Sequence, residues 1–501
     1  MARKSGILLH ITSLETPYGI GTMGQCARSF AAFLKRAGQS YWQMLPLGPT
    51  GYGDSPYQPF SSFAGNPLLI DLDMLAEEGL LDDSDLVSIS LPEDPSMIDY
   101  AAVQSDRRRL LRRAWERRST LHCREAEFFT EENSLWLADY ALFASLKEHF
   151  RGDSWQLWTE ELRRRRPEAL DKYRKTLRRD IEYHSFVQYL FFKQWHGLRS
   201  YINGLGLRII GDLPIYVAED SADVWADPDL FDLNDELHPR HKAGVPPDYF
   251  SPEGQLWGNP LYRWPAHAKN GYEWWLRRVG AARRFADVIR IDHFRGFLDY
   301  WTVPADAQTA RMGCWCSGPG DDLIRAIKNT YPDLPVIAED LGLLSRKAVD
   351  FVRESGYPGM KVLQFSFDAS RPGVGAPHTF PGSSVCYTGT HDNATAAAWL
   401  QHGPEADVAL AKRYLGLNEA EGLARGLIRG GMACPSDLLI VPMQDWLGLD
   451  DSARMNTPGT VGPNWRWRMC PGQRTVRLAS EIAAVTKIFG RSRKRRGNGA
   501  I

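Results

Sequence analysis

Four apolar runs in this sequence end in carboxylates. The first closes as Gly211-Asp212-Leu-Pro-Ile-Tyr216 and the second as Asp287-Val-Ile-Arg290-Ile-Asp292-His293-Phe-Arg-Gly296. Pro335-Val-Ile-Ala-Glu339-Asp340-Leu-Gly342 and Tyr387-Thr-Gly-Thr-His391-Asp392-Asn393 complete the set. A charged side chain at the end of an apolar strand is costly unless it is paired or does chemistry. Any single one can be no more than the cap of the next helix. Four such endings together are harder to explain by capping. A reaction that uses two or three carboxylates without a metal motif or a phosphate loop is glycosidic bond cleavage: one carboxylate is the nucleophile and a second is general acid, then base. A third can orient the sugar and stabilise positive charge. Rival signatures are missing: there is no Gly-x-x-x-x-Gly-Lys-Ser/Thr, His-Glu-x-x-His or Gly-x-Ser-x-Gly. His238 and His241 form an H-x-x-H among Pro and Arg, and Cys314 and Cys316 frame one Trp. Neither pair brings the further ligands that a zinc site takes, so no metal is expected.

Catalytic groups of a barrel sit at the C-terminal ends of its strands. Strands are expected at 6–12, 41–47, 207–217, 287–293, 335–340, 360–367, 385–391 and 438–444. They lack strict alternation, as strands buried on both faces do. Helical patterns lie between them, at 27–37, 274–285, 321–328, 347–355 and 419–429. Strand–helix alternation implies a parallel sheet with right-handed crossovers. Eight such strands point to a closed (β/α)₈ TIM barrel with inserted subdomains; an open doubly wound sheet is the alternative. The chain reads as one catalytic barrel over 1–501. Two gaps exceed simple connections. Residues 70–205 read as a mainly helical insertion whose Arg107–Arg109 and Arg163–Arg166 runs are solvated helix faces. Residues 218–271, rich in Pro, Asp, Trp and Tyr, read as a loop-built insertion over the active site. The basic tail over 490–501 is expected to be disordered.

Bulk properties narrow the partners. Of 501 residues, 43 % are hydrophobic and 24 % charged, ordinary for a soluble globular chain. Lys and Arg number 60 against 61 Asp and Glu, so no general pull toward nucleic acid or an anionic membrane exists. No apolar run approaches the ~20 residues of a membrane-spanning helix, and the N-terminal apolar stretch is too short for a signal peptide. The 7 cysteines are odd in number and scattered, which fits a reducing cytoplasm better than a disulfide framework. The 17 Trp residues suit a core, but also sugar rings, whose C–H faces stack on aromatics.

An ordered set of motifs resembles one family. It comprises Ser55-Pro-Tyr57-Gln-Pro-Phe-Ser-Ser-Phe-Ala-Gly-Asn66-Pro, Gly211-Asp212-Leu-Pro-Ile-Tyr-Val, Gly254-Gln255-Leu-Trp257-Gly258-Asn259-Pro260, Arg290-Ile-Asp292-His293-Phe-Arg-Gly296, Ala338-Glu339-Asp340-Leu-Gly and Gly389-Thr-His391-Asp392-Asn393. Together they are similar to the 4-α-glucanotransferases, the amylomaltase or disproportionating-enzyme family, glycoside hydrolase family 77. The resemblance runs from about Gly6 to about Arg468. It implies a (β/α)₈ barrel that needs no cofactor and acts on maltooligosaccharides and α-1,4-glucans. Matched to the family's motifs, Asp292 is the nucleophile, Glu339 the general acid/base and Asp392 the transition-state stabiliser.

Further roles follow from the same match. Arg290, two residues before Asp292 on one strand face, can hold that carboxylate ionised. Glu339 is expected to have a raised pKa. His293 and His391 would hydrogen-bond sugar hydroxyls, and Tyr57 and Asp212 resemble donor-side contacts. Gln255, Trp257 and Asn259 lie on a Gly-flanked segment resembling a flexible loop over the site. Phe365 and Asp368 resemble acceptor-side residues. Arg454-Met-Asn-Thr-Pro and Asn464-Trp465 resemble the family's last motif, although Pro463 stands where Gly is expected. The implied reaction is retaining transfer of a glucan segment to the 4-hydroxyl of another glucan or of glucose, with cyclic products conceivable. A hydrolytic α-amylase-type barrel would carry the same carboxylates. A glucan-binding barrel that has lost catalysis is the alternative of another class.

Overall fold

Runs that are apolar on both sides of the pleat must be covered on both sides. In the computed structural model of the chain they form the wall of a closed parallel barrel. The structure describes residues 3–120, 123–247, 252–342 and 344–492. Its strands are β1 (Lys4–Leu8), β2 (Tyr41–Gln43), β3 (Arg208–Leu213), β4 (His241–Val245), β5 (Gln255–Pro260), β6 (Val288–Ile291), β7 (Asp299–Pro304), β8 (Cys314–Ser317), β9 (Val336–Ala338), β10 (Gly359–Val362), β11 (Ser384–Tyr387) and β12 (Leu438–Pro442). The barrel order is β1-β2-β3-β6-β9-β10-β11-β12, closed by β12 pairing in parallel with β1. This is the expected (β/α)₈ architecture. Crowding inside the wall explains Gly6: a Cβ there would come within 2.7 Å of Tyr41 Cβ and 2.8 Å of Ile440 Cδ1.

The expected strands overshoot at their C-terminal ends. The ladder stops after Leu213, Ile291, Ala338 and Tyr387, just before most of the carboxylates. The backbone then turns into bends and 3₁₀ segments, such as Phe294–Phe297 and Leu363–Phe365. Leaving the ladder is what frees these side chains to point into a cleft.

Between β2 and β3 the chain is mostly helical, from Leu72–Glu77 through Tyr100–Glu116 and Ser134–His149 to the 27-residue helix Arg178–Gly204. Two glutamines fix that last helix to the loop after β2. Gln188 exchanges two hydrogen bonds with the backbone of Gly65 (2.8 and 2.9 Å), and Gln194 does the same with Asp71 (2.7 and 3.0 Å). Such paired amides satisfy buried backbone groups that no helix or strand serves. Arg107 departs from the solvated-face reading: it is buried, because its helix turns that position toward the core with Leu110, Leu111 and Ala114.

The loop-built reading of 218–271 also needs correction. β4 and β5 form an antiparallel pair within a four-stranded sheet of order β5-β4-β7-β8, to which the segment after β6 adds β7 and β8. Gln255, Trp257 and Asn259 therefore belong to a strand, not to a free loop. Gly254 and Gly258 have φ of 67° and 81°. Those left-handed positions shape the entry to β5 and the bulge opposite β4.

The tail begins later than expected. Arg491 is fully buried and donates to the carbonyls of Met432, Lys4, Ser436 and Cys434 at 2.8–3.0 Å. It fastens the end of the helix Val476–Ile488 to the N-terminal face of the barrel. The remainder of the tail, 493–501, lies outside the described residues.

Candidate active site

Register sets the first layer of the site. β3 and β6 pair with Asp212 beside Arg290, and the two side chains share the barrel interior. Arg290 Nη1 donates to both Asp212 oxygens (2.7 and 2.6 Å), while its Nη2 lies 2.9 Å from Asp292 Oδ1. The guanidinium is 4 % exposed and bridges the two carboxylates, so the buried cation is paired rather than isolated. Tyr57 donates its hydroxyl to Asp212 Oδ2 at 2.8 Å and stacks on His391 with ring centroids 5.0 Å apart.

Glu339 follows β9. Its Oε2 accepts from the His293 N–H and its Oε1 from the Leu341 N–H, both at 2.7 Å. The first bond exists because His293 takes a left-handed backbone (φ 47°, ψ 48°) that turns its N–H back toward the neighbouring strand. Such a conformation is strained for a residue with a Cβ and is kept by its surroundings. Burial raises the Glu339 carboxyl to about 7, and the charge of Asp292 adds to it. Burial also raises Asp292, to about 6, against the pull of Arg290. Arg290 thus holds Asp292 less firmly than its spacing suggests, because burial outweighs its pull and the Asp212 charge opposes it. The order is still the useful one for chemistry: near neutral pH Asp292 is mostly ionised while Glu339 retains much of its proton.

Asp392 stands across the cleft after β11. Its Oδ1 accepts from Asn456 Nδ2 at 2.7 Å and lies 3.3 Å from His391 Nε2. Its carbonyl accepts from Arg454 at 2.6 Å. Behind His391 lies His10, buried and lowered to about 3 chiefly by that burial, so it is neutral. His293 is likewise lowered to about 4, and the edge-on Trp257 ring sits 4.9 Å from it. Among the described residues, no three His, Cys, Asp or Glu side chains converge into a metal-holding group.

The chain is similar to known proteins in sequence and fold. The model of glycoside hydrolase family 77, 4-alpha-glucanotransferase, matches residues 9–473. The chain belongs to this family. The 4-alpha-glucanotransferase of Clostridium butyricum is 44 % identical over 487 residues, 96 % of this chain and 100 % of the relative. That of Thermus thermophilus is 44 % identical over 97 % of this chain and 99 % of its own. The solved amylomaltase from Streptococcus agalactiae, in complex with acarbose, superposes with a TM-score of 0.95 at 41 % identity, covering 98 % of this chain and 100 % of its own.

Several family-matched positions are held by partners within the protein. Asn259 donates to the Val217 carbonyl and pairs with Gln58, so it ties β5 to the end of β3. Gln255 accepts from the Trp257 indole N–H at 3.1 Å and sets the angle of that ring. Asn464 spends its amide on Thr457 and Thr460, closing the 457–464 loop. Asp368 is held within its own turn by Ser370 and Arg371. Phe365 is half exposed beyond β10. Asn456 was not among the sequence candidates, although the Arg454-Met-Asn-Thr-Pro motif contained it; a polar loop residue carries no periodic signal.

Proposed function

We propose that this chain is a 4-alpha-glucanotransferase that moves a segment of an α-1,4-glucan to the 4-hydroxyl of another glucan or of glucose. Glu339 protonates the bridging oxygen while Asp292 attacks the anomeric carbon, and the reducing-end fragment leaves. Glu339, now a base, deprotonates the acceptor hydroxyl, which displaces Asp292 with retained α configuration. Asp392, held by Asn456, stabilises the positive charge that develops on the sugar. Tyr57, Asp212, His293, His391, Phe365 and Asp368 are assigned to the bound chain, with Asn464 shaping the last loop. Trp257 and Gln255 shield the cleft from water.

The observation that carries the reading is the pairing of environments. One carboxyl is bridged to a buried guanidinium, and the next strand's carboxyl, bonded to the N–H of residue 293, is raised to about 7. Family 77 membership supplies the substrate class. We read the chain as one catalytic barrel, with 70–205 a helical insertion and 218–271 an insertion that covers the site. No helix among the described residues is long and apolar enough to cross a membrane. The six cysteines whose side chains are described are unpaired, which fits a reducing cytoplasm.

Incubation with maltotriose tests the proposal. Glucose and longer oligomers should form while total reducing ends stay constant. Rising reducing ends without longer products would make the protein a hydrolase, and no change at all would leave only a binding barrel.

A further inference from the structure

The four-stranded sheet beside the cleft carries an apolar row that the proposed mechanism does not use. Leu256, Gly244, Trp301 and Trp315 are cross-strand partners on β5, β4, β7 and β8, so they share one face. Both ends of the row reach water: Leu256 is 36 % and Trp315 41 % exposed. Isolated exposed apolar side chains are ordinary. Trp315 differs in that its ring is held. The Arg295 guanidinium lies 3.9 Å from its centroid, and Trp301 meets it at 5.2 Å and 67°. Both partners are themselves fixed, Arg295 by Asp299 at 2.7 Å and Trp301 by the Ala310 carbonyl at 2.8 Å. Arg295 belongs to the 3₁₀ turn Phe294–Phe297 that follows His293, so Trp315 stands one arginine side chain away from the catalytic turn.

We propose that Trp315 is an outer subsite for long α-1,4-glucans, receiving a sugar ring of the chain that extends from the cleft. This rests on the glucanotransferase reading. A sugar ring needs a flat apolar surface for its C–H face and water or polar groups at its rim, and a partly exposed indole at a sheet edge offers both. Because the ring is already oriented, little side-chain freedom is lost on binding. The subsite would favour long chains over maltotriose.

The test compares wild type, Trp315→Ala and Trp315→Phe on maltotriose and on long-chain amylose, with tryptophan fluorescence titration by maltoheptaose in parallel. The ratio of KM for amylose to KM for maltotriose should rise about fivefold in Trp315→Ala, the loss of one stacked ring, and less in Trp315→Phe. Part of the fluorescence change on maltoheptaose binding should vanish with the indole. An unchanged ratio with an unchanged titration overturns the subsite. So does an equal rise in both KM values, which would mark Trp315 as a structural support of the turn. A wild type inactive on both substrates would instead overturn the glucanotransferase reading, and the titration would still decide whether Trp315 touches the glucan.

Discussion

The barrel holds a buried arginine at each end. At the C-terminal end Arg290 contacts Asp212 and Asp292; at the N-terminal end Arg491 contacts four backbone carbonyls and the Cys434 sulfur and, among the described residues, no carboxylate. Coulombic partners raise Arg290 well above the usual arginine range, whereas burial lowers Arg491. A cation among carboxylates sets their protonation. A cation among carbonyls mainly sets where chain segments meet. The same side chain therefore tunes chemistry at one end of the barrel and closes the fold at the other.

The largest expected effect lies at the tuned end. Asp292→Asn should lower kcat by several powers of ten while the thermal unfolding midpoint stays near wild type, because the amide keeps the size and packing of the carboxylate. Retention of more than about a tenth of the turnover would remove Asp292 from the nucleophile role. Arg290→Lys comes next. It keeps the charge but cannot bond Asp212 and Asp292 together, so kcat/KM should fall about a hundredfold. A loss of stability with activity intact would make Arg290 resemble Arg491 and break the contrast.

Arg491→Ala should show the opposite pattern. It strips donors from four carbonyls, and stability should drop by about 3 kcal/mol in urea unfolding, with activity per folded molecule unchanged. A clear loss of kcat in the folded variant would mean that the two ends communicate.

Much of this contrast was legible from the residues, but unequally. The wall strands were readable because burial on both faces leaves unbroken apolar runs, and their carboxylates stood out against them. The β5-β4-β7-β8 sheet was not, because its short strands carry Gly244, Gly258, Pro260 and Pro304, which read as loop. Arg290 and Asp292 were paired correctly by their two-residue spacing. Asp212 as the stronger partner needed the register of β3 against β6, which no single segment contains. Arg491 was misread because Arg493, Lys494, Arg495 and Arg496 give the whole stretch a tail's composition. Only contact with β1 and the residues before β12 distinguishes it.

The smallest effect is a displacement of the pH profile, and it separates the two arginines most cleanly. With Asp292 raised to about 6 and Glu339 to about 7, kcat/KM should follow a narrow bell. Below its acid limb Asp292 takes up a proton and cannot attack; above its basic limb Glu339 loses the proton it must donate. The two carboxyls interact, so the limbs belong to the pair. Arg290 favours the Asp292 anion and opposes the rise of both groups. A lysine in its place, with fewer donors to share, leaves Asp292 easier to protonate. The acid limb should therefore move upward by up to about one unit in Arg290→Lys, and the bell should narrow further. Arg491→Ala alters no charge within reach of either carboxylate, so its bell should coincide with that of the wild type. If the acid limb of Arg290→Lys stays in place, burial and the neighbouring Asp212, Asp392 and His391 set the Asp292 pKa, and the guanidinium would be a brace like its counterpart at the far end.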